Sequence, residues 1–200
     1  MKGKLSFQYF MMNMKKFHEY YDYDLKFNAA FHHKEKLSKK DLKSYEMRYV
    51  RLFRLCQANE DRIWRYWYRF WFKKLCKKTG IGMYCDVQMG KGLVIGHYGR
   101  IVVNGGVKFG NDVMLTHNVT IGRDVRGKRK GTPTIGNRVV IRTNSTITGN
   151  VKIGDDVLIA PNTFVNFDVP DHSVVIGNPA TIHPRENATE GHIGFVDTEE

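Results

Sequence analysis

Between residues 81 and 183 the chain repeats an apolar residue at every sixth position. These positions form three runs, Met83 to Ile95, Val103 to Ile121 and Ile135 to Val165, and a second apolar residue precedes many of them by two. A six-residue period fits neither a helix nor a β-sandwich, whose strands recur every 8 to about 12 residues. It predicts short strands joined by tight corners, with residues two apart facing one interior. Stacked copies of this unit build a parallel β-helix.

The first 80 residues show helical spacing instead. Ser38 to Leu55 places apolar side chains on a helical pattern, with Ser38 as the expected N-cap. Ile63 to Cys76 is aromatic on nearly every face and interleaved with basic residues, while residues 1–36 are ambiguous. The chain therefore divides into a basic helical segment at 1–80, a β-helix at 81–183 and a polar tail at 184–200, which we expect to be loose.

The basic charge of the chain lies in its helical segment. Residues 1–80 hold 20 Lys and Arg against 8 Asp and Glu, whereas residues 81–200 hold 12 of each, so the net charge of +12 arises before the coil. Such an arm suits an acidic partner or a membrane surface, and we do not expect nucleic-acid binding. The helix at 63–78 is expected to pack at an interface, with peripheral membrane contact as the alternative.

Cysteine spacing and hydropathy bear on the cellular compartment. Cys56, Cys76 and Cys85 form an odd set without CxxC spacing, so neither a disulfide framework nor a zinc site is indicated. The apolar stretch from Ser6 to Met14 contains polar residues and lacks a cleavage site, which makes it a poor signal peptide. No apolar run approaches the roughly 18 residues of a membrane span. We expect a cytoplasmic protein, with the inner membrane face as a peripheral site.

The six-residue period slips at two places. Two residues are added around His97 to Arg100, and a longer insertion covers residues 123–132. Insertions in a solenoid become loops on one face, often the binding face. The loop from Arg123 to Lys130 carries five basic residues, which either contact phosphates or remain solvated.

Three segments of the coil carry a family resemblance: Gly92 to Val103, Asn118 to Gly122 and Val169 to Ala180. Over residues 81–183 the chain resembles the hexapeptide-repeat acyltransferases, specifically the serine acetyltransferase group, and looks closest to small O-acetyltransferases of surface-polysaccharide synthesis. The resemblance implies a left-handed parallel β-helix, a homotrimer, acetyl-CoA bound as substrate in the groove between subunits, and a histidine as general base.

The resemblance also suggests roles for individual residues. His97 becomes the general base, because an imidazole with a pKa of about 6.5 can take the proton of an attacking hydroxyl. The alternative is an ordinary surface histidine, and for His117 a stacked structural role is the preferred alternative. The acceptor-binding set is Tyr98, His117 and Thr132. The donor-binding set is Gly122, near the oxyanion, with Arg142, Thr143, Ala160, Pro161 and Pro179.

A metal site is the competing use of these histidines. Carbonic anhydrases that share this β-helix need three imidazoles around one zinc ion. The position five residues after His117 is Gly122, which cannot be a ligand. We therefore expect no metal.

Departures from the family pattern guide the choice of acceptor. Serine acetyltransferases carry an aspartate before the catalytic histidine, a second one fifteen residues before it, and another histidine in a His-Pro pair; this chain has Gly96, Gly82 and Thr132. A sugar or glycan hydroxyl is therefore the predicted acceptor. Serine is the alternative, and a non-catalytic trimeric scaffold is a third hypothesis. Without those carboxylates, a backbone carbonyl or Asp86 is expected to orient His97.

Overall fold

The computed structural model describes residues 2–59 and 62–194. Three helices come first: α1 (Lys2–Phe31), α2 (Tyr45–Ala58) and α3 (Arg62–Thr79). Ser38 does not cap α2, because its hydroxyl accepts from the Asp41 N–H at 3.2 Å in a short 3₁₀ turn. Ser44 caps α2 instead, its hydroxyl accepting from the Met47 N–H at 3.2 Å.

Short strands follow the helices as far as residue 184. They are β1 (Ile81–Met83), β2 (Gln88–Met89), β3 (Leu93–Ile95), β4 (Ile101–Val103), β5 (Lys108–Phe109), β6 (Val113–Leu115), β7 (Thr120–Gly122), β8 (Thr134–Ile135), β9 (Val139–Ile141), β10 (Thr146–Thr148), β11 (Lys152–Ile153), β12 (Val157–Ile159), β13 (Phe164–Val165), β14 (Ser173–Gly177) and β15 (Ala180–Pro184).

The strands form three sheets that wind around one core. Each strand from β1 to β10 pairs in parallel with the strand three places further along the chain, and β12 pairs with β14. The result is sheet A (β1-β4-β7-β10-β13), sheet B (β2-β5-β8-β11) and sheet C (β3-β6-β9-β12-β14-β15). β15 alone among these pairs is antiparallel to its neighbour, β14. The parallel β-helix predicted from the six-residue period is confirmed.

The repeated apolar positions fill the interior of this coil. All of them are buried, at 7% exposure or less: Met83, Met89, Ile95, Val103, Phe109, Leu115, Ile121, Ile135, Ile141, Ile147, Ile153, Ile159 and Val165. Each coil covers the apolar side chains of the next, so the repeat generates its own core.

A buried ion pair joins the helices to the first coil. The Asp24 carboxylate accepts from Arg54 Nε at 2.7 Å and Nη2 at 3.1 Å, and from the backbone N–H groups of Gly92 at 2.8 Å and Leu93 at 3.0 Å. Arg54 also donates to the Gly90 carbonyl at 2.6 Å. Both charged side chains are at most 1% exposed. These contacts fix α1 and α2 against β2 and β3.

The C-terminal segment is ordered against the coil as far as residue 194. Ala188, Thr189 and Ile193 are buried. The Asp156 carboxylate accepts from the N–H groups of Ala188 at 2.9 Å and Thr189 at 3.1 Å, and from the Thr189 hydroxyl at 2.7 Å. The expectation of a loose tail is therefore wrong for this part, because its polar groups satisfy Asp156 while its apolar groups pack.

Candidate active site

One corner of the coil collects most of the residues singled out from the sequence. Parallel register places Ile95, Leu115, Ile141 and Ile159 side by side at the ends of four strands in sheet C. The two residues that follow each strand form what we call the sheet C corner: Gly96 and His97, Thr116 and His117, Arg142 and Thr143, Ala160 and Pro161. Backbone hydrogen bonds continue from coil to coil here, for example from Gly96 N–H to the Leu115 carbonyl at 2.9 Å.

His97 lies exposed at the first level of this corner. Its ring centroid is 6.0 Å from that of His117 on the next coil, with the planes at 64°. Gly99 permits this approach, because a Cβ at that position would lie 2.9 Å from the Cβ of His117. An exposed imidazole beside an open corner is available to a substrate hydroxyl.

A cleft of about 260 Å³ opens beside His97. Arg142 and Thr143 line it from the corner, α1 contributes Ala30 and Phe31, and residues 191–194 close its far side. The contributions of α1 and of residues 191–194 could not be predicted from the repeat, since neither segment belongs to it. The cleft therefore combines the corner with two segments distant in sequence.

Arg142 is held in this cleft by the tail. Its Nη1 lies 3.4 Å from His192 Nδ1. Burial, followed by the positive charges of Arg142 and Arg185, lowers the pKa of His192. A neutral imidazole can accept from the guanidinium N–H, so the tail orients a cation close to His97 without adding a second charge.

Helix α2 brings charged groups to the other side of His97. The Glu46 carboxylate accepts from the Tyr98 backbone N–H at 3.4 Å, and the Tyr45 ring meets the Tyr98 ring edge-on at 5.2 Å. Lys78 Nζ lies 5.1 Å and Arg48 Cζ 5.9 Å from the Tyr45 ring centroid. The Glu46 carboxylate thus contacts Tyr98, while the two cations lie around the neighbouring ring of Tyr45. The six-residue repeat could not indicate these contacts, because α2 and α3 lie outside it.

The glycines at the family's aspartate positions have different surroundings. A Cβ on Gly96 would lie 2.6 Å from the Met114 Cε, so the methionine methyl fills the space that a side chain there would enter. Gly82 is more open, since a Cβ there would meet the Ile101 carbonyl oxygen at 3.5 Å. Asp86 was one of two groups expected to orient His97, but the structure places its carboxylate elsewhere. Its carboxylate is bound by Arg69 and by Arg65, the latter at 3.1 Å.

The remaining predicted residues do not line the His97 cleft of a single chain. Gly122 ends β7 in sheet A, and the Thr132 hydroxyl donates to the Gly106 carbonyl at 2.9 Å on the way into sheet B. Pro179 lies in the turn between β14 and β15. The basic loop before Thr132 is exposed and held at its base by Asp124, which accepts from the Thr148 hydroxyl at 2.8 Å.

Neither a metal cluster nor a membrane span is found in the described residues. Within residues 2–59 and 62–194, no group of three or more His, Cys, Asp or Glu side chains could hold a metal ion. Among the described helices, none combines the length and apolar character that a bilayer crossing requires.

Comparisons with known proteins place this geometry in context. Residues 132–166 match the family model described as bacterial transferase hexapeptide (six repeats). Residues 132–166 are thus similar to the hexapeptide repeats of bacterial transferases. A serine acetyltransferase of Helicobacter pylori is 37% identical over 102 residues, which cover 51% of this chain and 60% of that protein. The chain thus spans less than two thirds of this curated relative.

Solved structures agree on the fold. A soybean serine acetyltransferase complexed with serine has a TM-score of 0.71 and 23% identity, covering 84% of this chain and 70% of that one. A serine acetyltransferase in complex with CoA has a TM-score of 0.68 and 22% identity, covering 81% and 68%.

These comparisons contradict the expected sugar or glycan acceptor. The relatives and structural neighbours are named serine acetyltransferases, and a closer likeness to polysaccharide O-acetyltransferases finds no support. The expectation rested on coil positions alone, at Gly82, Gly96 and Thr132. It did not consider the Glu46 carboxylate at Tyr98 or the Lys78 ammonium group at Tyr45, which come from α2 and α3.

Proposed function

We propose that this protein transfers the acetyl group of acetyl-CoA to the hydroxyl of serine, with His97 as general base. The observation that carries the proposal is that the exposed imidazole of His97 lines a cleft with Arg142 and Thr143, while the Glu46 carboxylate contacts the next residue, Tyr98. Relatives named serine acetyltransferases support the choice of acceptor.

The reaction follows from the basicity of His97. Its ring nitrogen takes the serine hydroxyl proton as the oxygen attacks the thioester carbonyl, forming a tetrahedral intermediate. Collapse of that intermediate breaks the carbon–sulfur bond. The imidazolium returns its proton to the departing CoA thiolate, leaving O-acetylserine, CoA and neutral His97. His117, 6.0 Å away, flanks the base and is proposed to position it rather than to react.

The donor is proposed to lie along the sheet C corner. Thr143 lies two levels from His97 along this corner, and Ala160 and Pro161 lie three levels from it. Arg142 adds a cation in the cleft beside His97. A homotrimer would complete the groove, because Gly122, Thr132 and Pro179 can serve this His97 only from another copy. A serine acetyltransferase of similar fold was solved in complex with CoA, which supports the choice of donor.

The acceptor is proposed to lie under Tyr98. A serine zwitterion needs an anion for its ammonium group and a cation for its carboxylate, and unpaired polar groups make such sites selective. Glu46 supplies the anion, while Lys78 and Arg48 supply the cations around Tyr45. Recognition is then provided by the helices, and the proton acceptor by the coil.

Release of free CoA thiol from acetyl-CoA, measured with and without serine, tests the proposal. We expect serine-dependent release, and Glu46→Gln should raise the KM for serine by about 10- to 100-fold, since a hydrogen bond to a charged group contributes about 1.5 to 3 kcal/mol. Glu35→Gln, an exposed acidic residue outside this rim, is the matched control. Absence of serine-dependent release from the folded wild type would refute the assignment.

We also propose that the exposed face of α3 rests on an anionic lipid surface. This face exposes five aromatic side chains: Trp64, Tyr66, Trp67, Phe70 and Trp71. Lys74 Nζ lies 4.8 Å from the Phe70 ring centroid. Residues 62–79 contain no acidic residue, so a second copy of this face would be repelled while anionic headgroups would be attracted. A cytoplasmic location is part of this proposal.

A further inference from the structure

The fold brings together the three cysteines that the sequence leaves unrelated. Cys56 lies on α2, Cys76 on α3, and Cys85 in the turn between β1 and β2. Burial, and then the thiols of Cys76, Cys85 and Cys56, raise the pKa of the Tyr49 hydroxyl. Cys56 and Cys85 are both buried and line the same cleft. Their spacing gave no hint of pairing, because the contact joins a helix to the first coil.

Arg69 completes this cluster from α3. Its guanidinium donates to the carboxylate of Asp86, the residue that follows Cys85. The hydrogen bond from Cys56 and, against the effect of burial, the charge of Arg69 lower the pKa of Cys85 to about 6. The contact with Cys85, together with burial, raises the pKa of Cys56, and burial raises that of Cys76 to about 12. One thiolate therefore faces a protonated thiol.

A cleft separate from the His97 site leads to these sulfurs. It measures about 710 Å³ and is lined by Cys56, Cys85, Gln57 and Asp86 among others. The Asp86 and Arg65 side chains are 57% and 44% exposed, so its rim reaches solvent. The charged side chains that line this cleft are Lys16, Arg54, Arg65 and Asp86. The charges of Arg69 and Asp86 act on Cys85 directly.

We propose that Cys85 and Cys56 form a thiol–disulfide exchange site for low-molecular-weight disulfides. The Cys85 thiolate attacks one sulfur of the reagent disulfide, forming a mixed disulfide and releasing one thiolate. That thiolate takes the proton of Cys56. The Cys56 sulfur then attacks the Cys85 sulfur and expels the second reagent thiolate, which takes a proton from water. The protein loses two electrons, the reagent gains them, and α2 becomes tied to the β1–β2 turn.

Incubation with oxidised glutathione, followed by intact-mass measurement, tests this pathway without acetyl-CoA. We expect the wild type and Cys76→Ser to lose two hydrogen atoms. Cys56→Ser should stop at a stable glutathione adduct on Cys85, and Cys85→Ser should remain unmodified. A Cys85→Ser variant that reacts as fast as the wild type, or a Cys56→Ser variant that traps no adduct, would overturn the proposal. Serine-dependent acetyl transfer is measured separately, so the two proposals fail independently.

The pH dependence of alkylation by iodoacetamide gives a second measurement in folded protein. The rate of Cys85 alkylation should show an inflection at about pH 6. At pH 7 Cys85 should react roughly fourfold faster than a thiol of ordinary pKa. The larger fraction of thiolate raises the rate, and the lower nucleophilicity of that thiolate offsets most of the increase. Arg69→Gln should move the inflection to higher pH and Asp86→Asn to lower pH, since Arg69 stabilises the thiolate and Asp86 opposes it. An inflection near pH 9 in the wild type, or shifts of the same sign, would contradict the assignment.

Discussion

Replacement of Asp24 by Asn should destabilise the protein strongly. The carboxylate accepts four hydrogen bonds from buried donors: two from Arg54 and one each from the backbone of Gly92 and Leu93. An asparagine keeps one acceptor oxygen and turns an NH₂ group toward other donors, so it leaves the Arg54 charge buried without its counterion. Breaking one partner of a buried pair costs about 3 to 5 kcal/mol.

Urea denaturation followed by circular dichroism measures this cost. Asp22→Asn is the matched control, because Asp22 lies on the same helix and its 3.3 Å contact with His18 is exposed, so its loss should cost at most about 0.5 kcal/mol. The double variant Asp24→Leu with Arg54→Met should recover much of the loss, since it removes both charges. A free energy of unfolding for Asp24→Asn within about 1 kcal/mol of the wild type would refute the reasoning.

Three further predictions concern the site and its surroundings. His97→Ala should reduce serine acetylation about 10²- to 10⁴-fold while CoA binding, measured by calorimetry, persists, and His117→Ala should cost far less; equal losses would show that His97 is not the base. Asp156→Asn should raise hydrogen exchange at the Ala188 and Thr189 amides, which donate to that carboxylate, whereas unchanged protection would show that other contacts hold the tail. Paired replacement of Trp67 and Trp71 by Ser should abolish sedimentation with vesicles containing phosphatidylserine but leave acetyl transfer intact; equal sedimentation of variant and wild type would refute lipid contact by α3.

The same tail contact should depend on pH in both directions. Burial acts to raise the pKa of Asp156, but hydrogen bonds from Thr189 and His172 hold it below its ordinary value, so its stabilisation is lost as pH falls through the carboxyl range. The hydrogen bond to Asp156 raises the pKa of His172 in the folded protein. The stabilisation from this contact is therefore fully present below the ordinary histidine pKa and is lost as the pH rises through the raised pKa of the folded state. Amide protection of the tail should therefore be greatest between about pH 4 and pH 6.5.

The coil could be predicted from the sequence because its determinants are local and repeated. Residues such as Ile135, Ile141 and Ile147 recur at the same interval and are all buried in the same interior, so each supports the assignment of the others to the core. The residues of the sheet C corner were suggested by the family resemblance, and the parallel register then aligns them. The start of α2 at Tyr45 was missed because Ser38 and Ser44 offer similar caps, and only the 3₁₀ turn between them separates the two.

The acceptor side could not be predicted because it depends on contacts between unlike segments. Glu46 meets the backbone of Tyr98 across 52 residues, and the Asp24–Arg54 pair that fixes α1 and α2 on the coil has no periodic signature. The contact of Cys56 with Cys85 arises in the same way, from the packing of α2 on the first turn. Sequence spacing carries no information about such contacts until the docking of the helices is known.

The proposed location of acceptor recognition on the helices gives a reason why the glycines at positions 82 and 96 misled the prediction of the acceptor. Loss of side chains on the coil was taken as loss of amino-acid recognition, yet a zwitterion can be held by charges on any element that reaches the base. Met114 fills the space beside Gly96, so an aspartate could return there only if that side chain moved, whereas Glu46 needs no such change. If the helices supply recognition and the coil supplies chemistry, substitutions at Glu46 should change the KM for serine far more than kcat, and substitutions at His97 should do the reverse. A matching loss of kcat at both positions would mean that Glu46 acts on the base, and recognition would then have to be sought elsewhere around Tyr98.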